Sequence, residues 1–269
     1  MADKAIEIND EFVDVTFPDD ENFTFGALPE PTFGEEEYRD YEDLIEVYTE
    51  AQARTFIDRL DTGEIVGNEH YVTRIFNQSN EGSCVGNAFT QGHETTQAKQ
   101  VGIENVIPIS AMSLYQLIGS SAQSGAMVSD GAKAIQDIGV LPLDTPMNRE
   151  KFGSVVMPHT GFKTKRPGGW ESVAKRFRAI EILRIRSVMG LVTAACNGDL
   201  IVIGREGHSI LYVRPMWLKN GFGFLYVNSW GKWGQGAGRF EYGFGTDSIN
   251  QVKKSANVGY AIRTVEIVL

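Results

Sequence analysis

The stretch EGSCVGNAF (81–89) places one of the chain's two cysteines between glycines, directly before a run of small and apolar residues. Cys84 could be a core thiol, a disulfide partner, a metal ligand or a nucleophile. The longer segment 83–100 predicts a helix that begins near Ser83. Unpaired N–H groups at a helix N-terminus favour a thiolate, so the position suits a nucleophile. The stretch alone leaves the core and nucleophile interpretations open.

Composition argues against two of the four roles considered for Cys84, those of disulfide partner and metal ligand. Two cysteines in 269 residues argue against a disulfide framework and fit a reducing compartment. Four histidines (His70, His93, His159, His208) and the cysteines show no metal-ligand spacing, so no metal site is expected. The first ten residues lack the apolar core of a secretory signal, and no run approaches the ~18 apolar residues of a membrane span. We therefore expect a cytoplasmic protein without a membrane partner.

The net charge of −10 is unevenly distributed along the chain. Residues 1–50 hold 17 acidic and 2 basic residues, so the remainder holds 18 acidic and 23 basic ones. An acidic arm thus precedes a mildly basic body. The arm is either a solvated tail or a docking segment, and the number of its aromatic residues favours docking, among them Phe17, Phe23, Phe25, Phe33 and Tyr38.

Hydrophobic patterning predicts helices first and strands later. Besides 83–100, helices are predicted over 41–60, 109–122, 129–140, 170–183 and 186–199. Strands are predicted over 200–204, 209–218, 222–230, 238–244 and 258–269, and Lys219-Asn220-Gly221 indicates a hairpin. This order predicts an α+β fold with two lobes.

A nucleophilic cysteine needs a base, usually a histidine oriented by a third group. His93 lies nine residues along the same predicted helix and faces away from Cys84. His208 instead enters a predicted strand, and the following strand ends at Asn228, whose carboxamide could reach the His208 ring. Cys196 precedes Asn197-Gly198, a helix C-terminal signature, and is predicted to be an inert core residue.

Three segments in this order resemble the papain-like cysteine peptidases: NQSNEGSCVGNAF (77–89), GHSILYV (207–213) and VNSWGKWGQGAGRFEY (227–242). The resemblance begins near residue 55 and implies a helical N-terminal lobe (about 70–145), a C-terminal lobe (about 195–269) built on an antiparallel β-sheet or barrel, and a cleft between them. Residues 1–54 would then be an extension, either a docking or an autoinhibitory arm.

The resemblance also implies roles for individual residues. Cys84 matches the nucleophile, His208 the imidazolium paired with it, and Asn228 the residue that orients His208. Gln78 matches the oxyanion-hole donor, acting with the Cys84 backbone N–H. The substrate-binding set comprises Gly125 and Ala126 in the cleft wall and Trp230, the ring that shields the His–Asn hydrogen bond from water.

Three departures from the family pattern predict a weaker peptidase. Glu81 stands where the family has a disulfide cysteine, and its charge would oppose a thiolate if the side chain pointed inward. Val85 replaces an aromatic residue beside the nucleophile. Gly207 stands where an acidic residue often precedes the histidine.

The remaining motifs indicate no cofactor. The glycines of GQGAG (234–238) do not form a strand-to-helix turn, and no phosphate-binding loop is present. Segment 162–186 holds eight basic and two acidic residues. A solvated helix face is favoured there over nucleic-acid binding, and a landing site for the acidic arm is the third interpretation.

We therefore expect a cysteine peptidase acting on peptide or protein substrates through an acyl-enzyme. The alternative is a structural or adaptor component of a larger assembly, such as a virus or phage particle, in which the arm binds a protein partner and the fold has weak or no activity.

Overall fold

The computed structural model describes residues 26–28, 38–205, 207–219, 221–254 and 259–267. Phe17, Phe23, Phe25 and Phe33 of the predicted docking arm, and Asn220 of the predicted hairpin, lie outside these ranges. No helix within them is long and apolar enough to cross a bilayer.

The helices precede most of the strands, as the patterning predicts. They are α1 (Tyr41–Leu44), α2 (Glu50–Asp61), α3 (Cys84–Val101), α4 (Ala111–Ile118), α5 (Val128–Asp137), α6 (Pro146–Phe152), α7 (Trp170–Ala174), α8 (Val188–Cys196) and α9 (Ile249–Lys254). Short 3₁₀ turns cover Asn68–Tyr71, Ile103–Asn105 and Lys175–Phe177.

Seven strands form one antiparallel sheet. They are β1 (Ala179–Ile185), β2 (Leu200–Arg205), β3 (His208–Leu218), β4 (Gly221–Val227), β5 (Gln235–Ala237), β6 (Phe240–Ser248) and β7 (Gly259–Val265). The strand order is β1-β7-β2-β3-β4-β6-β5. Among the described residues β1 and β5 remain the two edges, so the lobe is an open sheet and not a closed barrel.

The α3 helix is the central element because it packs on α4 and α5 on one side and on β2, β3 and β7 on the other. All its residues from Cys84 to Ala98 are buried, polar ones included. Glu94 shows how the polar ones are accommodated, since its carboxylate accepts hydrogen bonds from Arg74 Nη2 at 2.7 Å and from the Ile109 backbone N–H at 2.7 Å. A helix held on both sides gives its N-terminus a fixed position between the lobes.

Two predicted helices differ in the structure. The predicted helix over 41–60 is interrupted at 45–49, because Thr49 caps a new helix through a reciprocal pair of hydrogen bonds with Gln52. The predicted helix over 170–183 ends early, and Ala179–Ile185 is the strand β1 paired with β7. Pairing with a distant strand overrides the local helical pattern there.

The acidic segment just before α1 contacts the basic stretch 162–186. Asp40 accepts hydrogen bonds from Arg184 Nε at 2.6 Å and Nη2 at 3.2 Å, and its Oδ2 lies 2.7 Å from Arg186 Nη2. Asp40 and Arg184 are both buried. Part of the basic stretch is therefore a landing site for acidic residues, as the third interpretation held. The predicted arm boundary at residue 54 falls inside α2, whose Ile57 is buried in the core.

Asp40→Ala should lower the free energy of unfolding by about 3 kcal/mol, because it removes the carboxylate that offsets a buried guanidinium. Asp137→Ala is the control, since its pair with Lys133 at 3.1 Å is exposed and should contribute less than about 1 kcal/mol. Urea denaturation of both variants measures the difference. Equal losses would contradict the anchoring role of Asp40.

Candidate active site

Cys84 is the first residue of α3, as predicted, and Ser83 is its N-cap. The Ser83 side chain does not cap the helix; instead, Asn87 Nδ2 donates to the Ser83 carbonyl oxygen at 2.9 Å and to its hydroxyl at 3.0 Å. Asn87 thereby fixes the turn that leads into Cys84.

The Cys84 thiol is fully buried. Burial raises its pKa from an ordinary 9.0 to about 11, and backbone N–H groups of Ser209, Gly26, Val85 and Cys84 itself oppose this rise. The helix N-terminus was expected to lower this pKa. In this structure burial raises the pKa of Cys84 by more than the backbone N–H groups lower it, so burial opposes the thiolate that the helix N-terminus favours.

His208 and Asn228 lie side by side, because β3 begins at His208 and its antiparallel partner β4 ends one residue before Asn228. The His208 Nε2 is 2.7 Å from Asn228 Oδ1, an oxygen that also accepts the Ser229 backbone N–H at 2.7 Å. An oxygen acceptor at Nε2 requires that this nitrogen carry the proton. Nδ1 is then the ring nitrogen that can accept a proton.

Burial also acts against an imidazolium at His208. The pKa of His208 is lowered to about 4, chiefly by burial and also by the nearby Arg205 guanidinium, while the hydrogen bond to Asn228 opposes the shift. Arg205 faces His208 across the β2–β3 pair and is bonded to the buried carboxylate of Asp247. With residues 26–28 in place, His208 is therefore a neutral imidazole and Cys84 a neutral thiol at neutral pH.

Trp230 lies against the histidine. Its ring stacks on the His208 ring with centroids 4.4 Å apart and planes 28° apart. Trp233 packs edge-on against Trp230 at 5.6 Å. These two rings exclude water from one side of the His208–Asn228 hydrogen bond.

Gln78 is held on the nucleophile side of the site by hydrogen bonds at both ends of its amide. Its Oε1 accepts the Ser229 hydroxyl at 2.5 Å, and its Nε2 donates to the Glu81 carbonyl oxygen at 2.8 Å. Its backbone N–H donates to the Ser229 carbonyl oxygen at 2.8 Å. The Gln78 side chain is thus fixed beside the turn that enters Cys84.

The predicted cleft wall is covered by residues 26–28 of the acidic arm. The Ala126 N–H donates to the Gly26 carbonyl oxygen at 2.7 Å, and the Leu28 N–H donates to the Ala126 carbonyl oxygen at 2.9 Å. On the other side, the Ala27 N–H donates to the Gly207 carbonyl oxygen at 2.6 Å. Three arm residues therefore bridge the wall at Ala126 and the residue that precedes His208.

Gly26 occupies a slot bounded by Gly82 and Gly125. A Cβ at Gly26 would overlap the Gly82 carbonyl group, and a Cβ at Gly125 would overlap the Gly26 carbonyl oxygen. The Gly26 backbone is one of the groups that oppose the rise in the pKa of Cys84. The sequence gives no motif for this contact, because FGALP around Gly26 has no local pattern that points to a distant cleft.

The family departures have structural explanations. The Glu81 carboxylate accepts the backbone N–H groups of Gly161 at 3.1 Å and Phe162 at 2.9 Å, so it binds a loop and does not point at the nucleophile. Val85 is fully buried. Gly207 has a φ of +81°, a conformation that favours glycine.

The other candidates lie outside the site. His93 is buried, faces Gln97 at 3.1 Å and has a pKa lowered by burial to about 3. Cys196 ends α8 in the core, as predicted, and burial raises its pKa to about 12. Within the described ranges no group of three His, Cys, Asp or Glu residues could hold a metal ion.

No protein-family model matches the chain, and no curated protein matches it in sequence. Solved structures do match. Xylellain, a cysteine protease from Xylella fastidiosa, is 15% identical, with 91% of this chain and 96% of that chain covered and a TM-score of 0.57. Procathepsin B S9 from Trypanosoma congolense is 11% identical, with 90% and 87% covered and a TM-score of 0.52. Digestive procathepsin L 3 of Tenebrio molitor larval midgut is 12% identical, with 78% and 87% covered and a TM-score of 0.50.

The fold of this chain is therefore that of the papain-like cysteine proteases. At these identities the likeness is one of fold alone.

The ultraviolet absorbance of the Cys84 thiolate in the full-length chain should rise continuously between about pH 7 and about pH 10, because below its pKa the thiolate fraction of a thiol grows about tenfold per pH unit. This measurement needs no reagent to reach the buried sulfur, and Cys84→Ser gives the background from Cys196 and the tyrosines. A thiolate signal that is already constant below about pH 7 would indicate a thiolate–imidazolium pair and contradict the neutral state described above.

Proposed function

We propose that this chain is a cysteine peptidase whose own residues 26–28 cover the cleft and keep the nucleophile protonated. The observation that carries the proposal is that residues 26–28 are hydrogen-bonded both to Ala126 and to Gly207, the residue before His208, whose ring is paired with Asn228. A buried neutral thiol of this kind is a poor nucleophile.

Displacement of the arm would return water to the site and lower the cost of the charged forms. His208 Nδ1 then takes the Cys84 proton, and the sulfur attacks the carbonyl carbon of the scissile bond. The oxygen that gains negative charge accepts hydrogen bonds from the Cys84 N–H and the Gln78 amide. Each such donor contributes roughly 2.7–4 kcal/mol.

Product release follows from the same groups. His208 gives its proton to the leaving amine as the C–N bond breaks, which leaves a thioester on Cys84. Water, deprotonated by His208, attacks the thioester, and the sulfur recovers a proton. Asn228 holds His208 with Nε2 protonated throughout, so Nδ1 is the nitrogen that exchanges the proton.

The substrate class follows from what the arm contacts. Residues 26–28 are held by main-chain hydrogen bonds to Ala126 and to the Gly207 carbonyl oxygen. Main-chain contacts of this type accept an extended peptide of many sequences. We therefore propose extended peptide or unfolded protein substrates that replace the arm on this wall.

Charge supports the return of the arm after displacement. Asp40 is bonded to Arg184 and Arg186, and Glu42 accepts the Ser187 N–H at 2.9 Å and its hydroxyl at 2.8 Å. These contacts hold the chain close to the cleft, so residues 26–28 remain at a high local concentration. The arm thus acts as a tethered competitor of the substrate.

Gly26→Val in the full-length chain should expel the arm and increase labelling of Cys84 by a thiol-directed epoxide at neutral pH by at least about tenfold, because a side chain does not fit the slot and the thiol regains water. The matched control is Gly168→Val, since a Cβ at Gly168 meets no atom within 4 Å. Cleavage of a denatured protein should rise in parallel, and Cys84→Ala in the Gly26→Val chain should abolish both signals. Equal labelling with and without Cys84 would reject the nucleophile.

The adaptor alternative is supported by the same observation, because a protein without peptidase activity can also have a covered site with a neutral thiol. Size measurement separates the two functions. An adaptor that docks through its arm should lose oligomerisation when residues 1–37 are removed, and it should gain no peptidase activity. A self-covered peptidase should gain activity without a change of size.

A further inference from the structure

A small cavity lies directly behind Asn228, between α3 and the β3–β4 pair. Its volume is about 10 Å³, close to the room that one water molecule needs. The lining residues are Phe76, Asn87, Ala88, Gln91, Ser209, Val227, Asn228 and Ser229.

Four polar side chains at this cavity are buried and incompletely bonded. Within the part of the chain that the structure describes, five of their atoms have no hydrogen-bond partner: Asn87 Oδ1, Gln91 Oε1, Gln91 Nε2, Ser209 Oγ and Asn228 Nδ2. The four residues are only 1–3% exposed. Buried polar atoms nearly always have a partner in the protein or in ordered water.

We propose that this cavity is an ordered-water site that holds the Asn228 carboxamide in place. The lining offers both donors, such as Asn228 Nδ2, and acceptors, such as Asn87 Oδ1. Water satisfies such a mixed set because one molecule can donate two hydrogen bonds and accept two. A metal cation would be repelled by the amide N–H groups, and an anion by the carbonyl oxygens.

The site connects the nucleophile's helix to the residue that orients the histidine. Cys84, Asn87 and Gln91 lie at positions i, i+3 and i+7 of α3, so they share one face of the helix. A water bound by Gln91 and Asn87 that accepts from Asn228 Nδ2 keeps Asn228 Oδ1 turned toward His208. Gln91 is then a positioning residue, since it acts on His208 through the water and Asn228.

A crystal structure of the full-length chain at about 1.5 Å resolution tests the site directly. We expect a density peak within hydrogen-bond distance of Asn228 Nδ2 and of at least two of Asn87 Oδ1, Gln91 and Ser209 Oγ. Direct bonds between Gln91 and Asn228 with no peak in the cavity would overturn the proposal. This result does not depend on whether the chain is a peptidase.

The positioning role rests on the proposed function and is tested separately. Gln91→Met, made in the full-length Gly26→Val chain, should slow Cys84 alkylation at neutral pH by roughly two- to tenfold, the factor that corresponds to one ordinary hydrogen bond. It should also shift the midpoint of the pH dependence. Gln97→Met is the matched control, because Gln97 is equally buried on the same helix but bonds to His93 and Ile107.

Each outcome decides one question. If Gln91→Met and Gln97→Met give the same alkylation rate and the same pH midpoint, the positioning role of Gln91 is overturned even if the water is present. Thermal unfolding of both variants shows whether a loss of reactivity reflects a loss of stability alone. Absence of Cys84 reactivity in the parent Gly26→Val chain would reject the peptidase proposal and leave the crystallographic result standing.

Discussion

The thiol of Cys84 is subject to two opposing effects, and the state of the whole site depends on which is larger. The N-terminus of α3 and the N–H groups of Ser209 and Gly26 favour the thiolate, whereas full burial favours the thiol. A pKa raised from 9.0 to about 11 corresponds to about 3 kcal/mol in favour of the neutral form, more than the roughly 0.3–1 kcal/mol that a helix terminus typically supplies. Burial therefore determines the protonation state, and the arm at Gly26 contributes to that burial.

The geometry of the slot explains why residue 26 is a glycine. The slot between Gly82 and Gly125 has backbone on both sides, so at residue 26 it has room for a main chain but not for a side chain. Backbone walls do not move aside as a flexible side chain would. The contact consequently requires glycine at residue 26. The hydrogen bonds to Ala126 and Gly207 join main-chain groups, so they do not depend on which side chains flank that glycine.

Much of the site could be predicted from local pattern. The start of α3 at Cys84 follows from helix signals, and the His208–Asn228 contact follows from two neighbouring antiparallel strands. Features set by contacts distant in sequence could not be predicted in this way. The strand β1 is helical in its local pattern and is decided by pairing with β7, and Glu81 binds backbone groups 80 residues away. The shifts that burial causes in the pKa values of Cys84 and His208 could not be predicted either, because burial is a property of the folded chain.

The central claim is that Cys84 becomes a nucleophile when residues 26–28 leave the wall at Ala126. The most direct measurement is a crystal structure of the full-length Gly26→Val chain after reaction with a peptidyl epoxide. We predict a covalent bond from Cys84 Sγ to the former epoxide carbon, and the peptidyl part hydrogen-bonded to Ala126 where residues 26–28 lie in the native chain. An adduct on another residue, or a Cys84 adduct with residues 26–28 still in place, would contradict the account.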